Sequence, residues 1–171
     1  MSGTVSGSQT YPGAPGVKET WTGSVGFDYP PSPSGGAVGV FGYHVTPSAT
    51  SNYSVQGTNA EGCTYSGGGQ YMPSGPHDSL GLSFGRGFAA YHAQISVSPN
   101  FTYQVTIACP GGTSQVDHTP YWCAGRWMDT GGGVRRFPDP GLTRIKGNST
   151  DDSCTYGPVH YSWDLIADPS G

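Results

Sequence analysis

Apolar and polar side chains alternate along this chain in short bursts. In 20–29, Trp21, Val25, Phe27 and Tyr29 fall on one side, and Thr20, Thr22, Ser24 and Asp28 on the other. A period of two marks a strand with one face in a core and the other in water. The clearest case is 101–109, where Phe101, Tyr103, Val105, Ile107 and Cys109 alternate with Thr102, Gln104, Thr106 and Ala108. Weaker bursts predict strands at 37–45, 53–57, 64–71, 80–84, 89–97, 121–128, 142–146 and 161–167. Glycine (29 residues) and proline (15) punctuate the chain, and the longest stretch free of both is Phe88–Ser98. Helices have almost no room, because proline breaks the hydrogen-bond ladder and an interior glycine costs ~1 kcal/mol relative to alanine. The pattern predicts an all-β fold with negligible helix. Its expected form is a single antiparallel β-sandwich, Ig-like or jelly-roll, of about 8–10 short strands.

Residues 1–19 lack strong periodicity and are rich in Gly, Ser and Pro. They are expected to form a flexible arm, whose extended residues have the alternative of pairing with an exposed sheet edge. The sandwich is expected over 20–168, with 169–171 as a tail. One phrase occurs twice. "VQGTNAEGCTYSG" from Val55 matches "IKGNSTDDSCTYGP" from Ile145, with one residue inserted. The two segments are expected to be equivalent places in two halves of the sandwich, with Gly67, Gly68 and Gly69 making the turn.

Composition changes the picture in three ways. Leu, Ile, Val and Phe together fall below the ~20 % level that raises suspicion of disorder, but 11 Tyr, 6 Phe and 4 Trp supply large buried areas instead. The core is therefore expected to be valine plus aromatics, which is strand chemistry. Charge is sparse, with 7 Lys and Arg against 11 Asp and Glu, and a net of −4. The densest basic spot is Arg135-Arg136, too little for a nucleic-acid partner. No apolar run approaches the ~18 residues of a transmembrane helix.

The first residues show neither a basic n-region nor an apolar h-region, so they do not read as a signal peptide. An even count of four cysteines nevertheless favours an oxidising compartment, and hence a secreted or cell-surface chain whose signal has been removed. The favoured pairing is Cys109 with Cys123 across a hairpin, leaving Cys63 with Cys154. The rival is Cys63 with Cys109 and Cys123 with Cys154. If the source is eukaryotic, Asn52, Asn100 and Asn148 are glycosylation acceptors.

Catalytic constellations are hard to assemble. "GLSFG" places Ser83 in a Gly-x-Ser-x-Gly pattern, but a nucleophile elbow needs a strand, a tight turn and a helix. "GRGFAA" from Gly85 imitates a dinucleotide fingerprint without its acidic partner downstream. The two glutamates, Glu19 and Glu61, sit in loop-like sequence, and neither the cysteines nor the five histidines have metal-ligand spacing. No catalytic residue, metal or cofactor is therefore expected. Recognition chemistry concentrates in "DHTPYWCAGRWMD", where His118, Tyr121, Trp122 and Arg126 form the candidate ligand-binding set. The expected function is a secreted or cell-surface, non-catalytic module acting by assembly or adhesion, through a protein partner or self-assembly. The alternative is a carbohydrate-binding module that uses the exposed Trp, Tyr and Arg on a glycan. A serine hydrolase at Ser83 is the remote one.

Overall fold

Each burst of alternation that falls on described residues becomes a strand in a computed structural model of the chain. The structure describes residues 2–26, 40–44, 50–72, 79–84, 90–96, 101–120, 126–129, 135–136 and 144–166. The strands in chain order are β1 (Ser2–Thr10), β2 (Val17–Gly26), β3 (Val40–His44), β4 (Thr50–Thr58), β5 (Thr64–Tyr71), β6 (Ser79–Phe84) and β7 (Ala90–Ser96). They continue with β8 (Tyr103–Cys109), β9 (Gly112–His118), β10 (Arg126–Asp129), β11 (Arg135–Arg136), β12 (Arg144–Asp151) and β13 (Val159–Ile166). No helix occurs among the described residues.

Eight strands form one antiparallel sheet in the order β12-β13-β1-β2-β4-β5-β8-β9. A second sheet runs β10-β7-β6-β3, with β11 also paired to β7. Strand β10 lies beside β1 and β13. One face of the large sheet is buried. Val5, Val17, Trp21, Val25, Tyr53 and Val55 line it on β1, β2 and β4, and the pattern continues through Tyr103 and Val105 to Ile145, Tyr161, Trp163 and Leu165. The core is valine and aromatic, as the composition implies. The other face, beginning with Thr4, Thr20, Thr22 and Ser24, is polar and exposed.

Glycines let the aromatics in. Gly7 pairs with Trp21 across β1 and β2, and Gly147 pairs with Trp163 across β12 and β13. A Cβ on Gly7 would overlap the Trp21 ring, and one on Gly147 would sit 2.7 Å from Trp163 Cζ2. Each indole thus lies across a strand whose side chain is missing at that point. This is how a sheet short of leucine packs without voids.

Three expectations need correction. First, residues 2–10 are not a flexible arm. They form β1, an interior strand hydrogen-bonded to β2 on one side and β13 on the other. Glycine and serine hid the pattern, because only Val5 marks the buried side before Gln9. The connection to β2 is a compact turn in which the Tyr11 carbonyl accepts from Ala14 N–H and Tyr11 N–H donates to Val17 O.

Second, Gly67–Gly69 do not make a turn. They lie inside β5, and the turn before it is Asn59–Gly62, with Gly62 at φ +80°. There Asn59 Oδ1 accepts from the N–H groups of Glu61 and Cys63. In the second copy of the repeated phrase, Asp151 Oδ1 accepts from Ser153 N–H and Oγ–H. The repeated phrase therefore spells the β4–β5 and β12–β13 hairpins, each with a short polar side chain organising its turn.

Third, the favoured cysteine pairing is overturned. Cys63 bonds Cys109, with Cα atoms 4.1 Å apart. The β5–β8 register sets Thr64 opposite Ala108, so the next residues out, Cys63 and Cys109, face each other. This pairing between strands distant in sequence could not be read from loop lengths. Cys154 is also disulfide-bonded. Strand β9, expected only as the fold-back before Cys123, is a full partner of β8. The 169–171 tail lies outside the described residues.

Deletion of residues 1–10 should abolish cooperative folding, since it removes an interior strand. Urea unfolding and amide dispersion in an NMR spectrum would check this. A native-like spectrum from the truncated chain would contradict the placement of β1.

Candidate functional site

Val17, Glu19 and Trp21 alternate with Lys18 and Thr20, so Glu19 points to the buried side of β2. Its exposure is 0 %. An isolated buried carboxylate is costly, and this one is fully engaged. Tyr103 O–H donates to Oε1 at 2.6 Å, Gln9 Nε2 donates to Oε2 at 2.6 Å, and His118 Nε2 lies 3.0 Å from Oε1. An ionised carboxylate can only accept, so His118 Nε2 carries the hydrogen in this contact. Tyr11 packs on the imidazole with ring centres 4.7 Å apart, and the Tyr103 ring meets it edge-on at 5.2 Å.

These contacts require a curled sheet. Glu19 is on β2 and His118 on β9, four strand positions apart. In a flat sheet that separation would be ~19 Å, beyond the reach of the two side chains. Strand β5 lies between them in the sheet, and its Gly67 and Gly69 are on the buried side. A Cβ on Gly67 would meet Val105 Cα at 2.9 Å, and one on Gly69 would meet Tyr103 Cβ at 2.8 Å. Glycine allows that close approach.

Burial works to raise the Glu19 pKa, but the hydrogen bonds from His118 and Tyr103, the His118 charge and the Gln9 amide outweigh it and hold the carboxyl below its ordinary value. Burial, reinforced by the Glu19 charge, pushes the Tyr103 phenol far above its usual range. Acid, base and hydroxyl are thus together, yet both carboxylate oxygens are occupied and the site has no opening to solvent at Glu19. The cluster clamps β1, β2, β8 and β9 and presents no group to a substrate. Sequence reading passed over Glu19 because it lay in the expected arm. Its parity with Val17 and Trp21 was the available signal.

His118 is therefore buried, at 6 % exposure, and does not belong to an open recognition surface. Arg126 is the first residue of β10 and pairs with Ser96. Tyr121 and Trp122 lie outside the described residues. Ser83 sits within β6, paired with Val40 on one side and His92 on the other. That is an antiparallel strand in place of the strand-turn-helix an elbow needs. Ala90, the end of the dinucleotide-like pattern, opens strand β7. Asn52 and Asn148 are exposed on the polar face, and Asn100 lies outside the described residues. Among the described residues no group of acidic, histidine and cysteine side chains is arranged to hold a metal.

The polar face carries an open groove of about 420 Å³ across β12, β13, β1 and β2. Thr4, Ser6, Thr22, Asn148 and Ser162 line it, with Lys146 and Asp164 at one side. Ser6 and Ser162 share a hydrogen bond of 2.7 Å. Arg144 forks onto Asp164, Nε to Oδ1 at 2.7 Å and Nη2 to Oδ2 at 2.6 Å, and Lys146 Nζ lies 3.4 Å from Oδ2. The Arg144 hydrogen bond holds the Asp164 carboxyl below its usual range.

Comparison with family models, with characterised proteins and with solved structures found no match.

At neutral pH, Glu19→Ala should lower the unfolding free energy by about 3–5 kcal/mol, the usual effect of removing one partner from a buried pair. The Glu19 pKa is depressed on folding, so its contribution is full above the unfolded value near 4.5 and fades as pH falls through the lower folded value. Urea midpoints followed by tryptophan fluorescence from neutral pH to pH ~3 should therefore drop more steeply for the parent than for Glu19→Ala. Equal stability of the two proteins at neutral pH would refute the clamp.

Proposed function

We propose that this chain is a secreted or cell-surface, non-catalytic β-sandwich module that acts by assembly or adhesion. The observation that carries the reading is the contrast between its two faces. The Glu19, His118 and Tyr103 groups are sealed on the buried face and satisfy one another. The other face is rich in short, neutral hydrogen-bonding side chains such as Thr4, Thr20, Thr22 and Asn52, with the Arg144–Asp164–Lys146 group and the Thr150–His160 pair among them. Such a surface is suited to contact through many hydrogen bonds.

The sandwich is inferred from burial. A sheet face rich in Trp, Tyr and Val needs a cover, and β10, from the second sheet, lies against β1 and β13. The Cys63–Cys109 bridge accords with an oxidising compartment. Assembly has a structural route as well. Among the described residues β9 pairs only with β8, and it is exposed from Gly112 to Asp117. An open edge of this kind can accept a strand from another chain. The carbohydrate-binding alternative is favoured by the groove on the polar face.

Multi-angle scattering over rising concentration, with retention on immobilised cell-surface material, tests the reading. Self-association or saturable retention is expected. A protein that stays monomeric and passes through every surface, or one that turns over a substrate, would contradict it.

A further inference from the structure

We propose that the groove over β12, β13, β1 and β2 binds a neutral saccharide chain laid across the strands. The inference rests on the reading of the chain as a non-catalytic binding module, and names a ligand class and a place for it. Register is the first support. Asn148, Ser162, Ser6, Thr22 and Asn52 are successive cross-strand neighbours and form one row. Lys146, Asp164, Thr4, Ser24 and Thr50 form the adjacent row by the same pairings. Neighbours within a row are ~4.8 Å apart, and the rows are separated by roughly 7 Å along the strands. A polyhydroxylated chain running with the rows meets a fresh hydroxyl or amide at each strand, at a spacing close to one sugar residue.

Shape is the second support. The groove volume of about 420 Å³ lies within the ordinary range for ligand sites. Gly147 and Trp163, whose side-chain positions belong to the buried face, also line the groove. The hydroxyl and amide walls offer both donors and acceptors, which sugar hydroxyls require together.

Charge and chemistry exclude the rivals. An anion would need an uncommitted cation, but Arg144 and Lys146 both direct their charge at Asp164. An extended peptide reads a sheet through its edge, and this site is a face. Asp164, fixed by the Arg144 fork, borders the groove, and the sugar contacts fall to the hydroxyls and amide of the two rows.

The test is an amide NMR titration of the full chain with cellohexaose, chitohexaose, xylohexaose and mannohexaose. Saturable shifts are expected at Thr4, Ser6, Thr22, Asn148 and Ser162 with at least one of them. Ser162→Trp, which fills the groove from an exposed position, should weaken that binding at least tenfold. Its remaining amide spectrum should be unchanged, which separates blocking from misfolding. Ser6→Ala should weaken binding two- to tenfold. Silence with all four sugars at millimolar concentration overturns the proposal. So do shifts centred elsewhere, or equal binding by Ser162→Trp. If the sugars are silent while scattering still shows self-association, the groove is wrong and the module reading stands. If the oligosaccharides are shortened in the tube, the non-catalytic reading itself falls, and this proposal with it.

Discussion

The structure turns on one buried negative charge. Glu19 sits where the sheet alternation would otherwise place another valine, and its cost is met only if Gln9, Tyr103 and His118 all arrive. Those partners come from strands at both ends of a long stretch of sheet. Satisfying the carboxylate therefore means rolling the sheet. A hydrophobic core alone specifies none of this, because greasy contacts are non-directional. The clamp gives the curl a defined geometry, and a half-satisfied cluster would be worse than none.

Curvature and the scarcity of aliphatics are two sides of one solution. A flat sheet with few leucines would leave gaps between large rings. Here the rings cross onto glycines of the neighbouring strand, Trp21 over Gly7 and Trp163 over Gly147, and Tyr53, Phe101 and Tyr71 pack on one another with ring centres 5.3 Å apart in each successive pair. Glycine thus serves the interior of this protein at least as much as its turns. The Cys63–Cys109 bridge then ties β5 to β8, joining strands that the chain itself connects only through a long excursion.

How much of this was legible in the sequence follows from the same physics. Strands with bulky alternation, such as β2 and β8, were readable because Trp21, Val25, Tyr103 and Val105 mark one side without ambiguity. Strand β1 was not, because its buried side is written Val5, Gly7, Gln9, and glycine is silent about which way a side chain points. The repeated Cys-Thr-Tyr phrase was correctly read as scaffold, but it encodes hairpin turns and not a bond between its cysteines. Non-local partners stayed hidden. Nothing in the local pattern of β5 says that β8 will lie beside it, or that Glu19 will meet His118. His118 was read by its neighbours in sequence, and its burial beside Glu19, Tyr11 and Tyr103 is set by the folded sheet.

Strand β1 lies between β2 and β13, with Ser2 opposite Ile166. Among the described strands, the first in sequence is thus completed by the last. During synthesis β1 and β2 can form a hairpin early, but one side of β1 waits unpaired until Val159–Ile166 has left the ribosome. Such long-range closure slows folding and leaves an open strand edge in the meantime. A chain built this way keeps β1 half-paired until Val159–Ile166 can reach it, so the sheet closes around β1 in one late, long-range step.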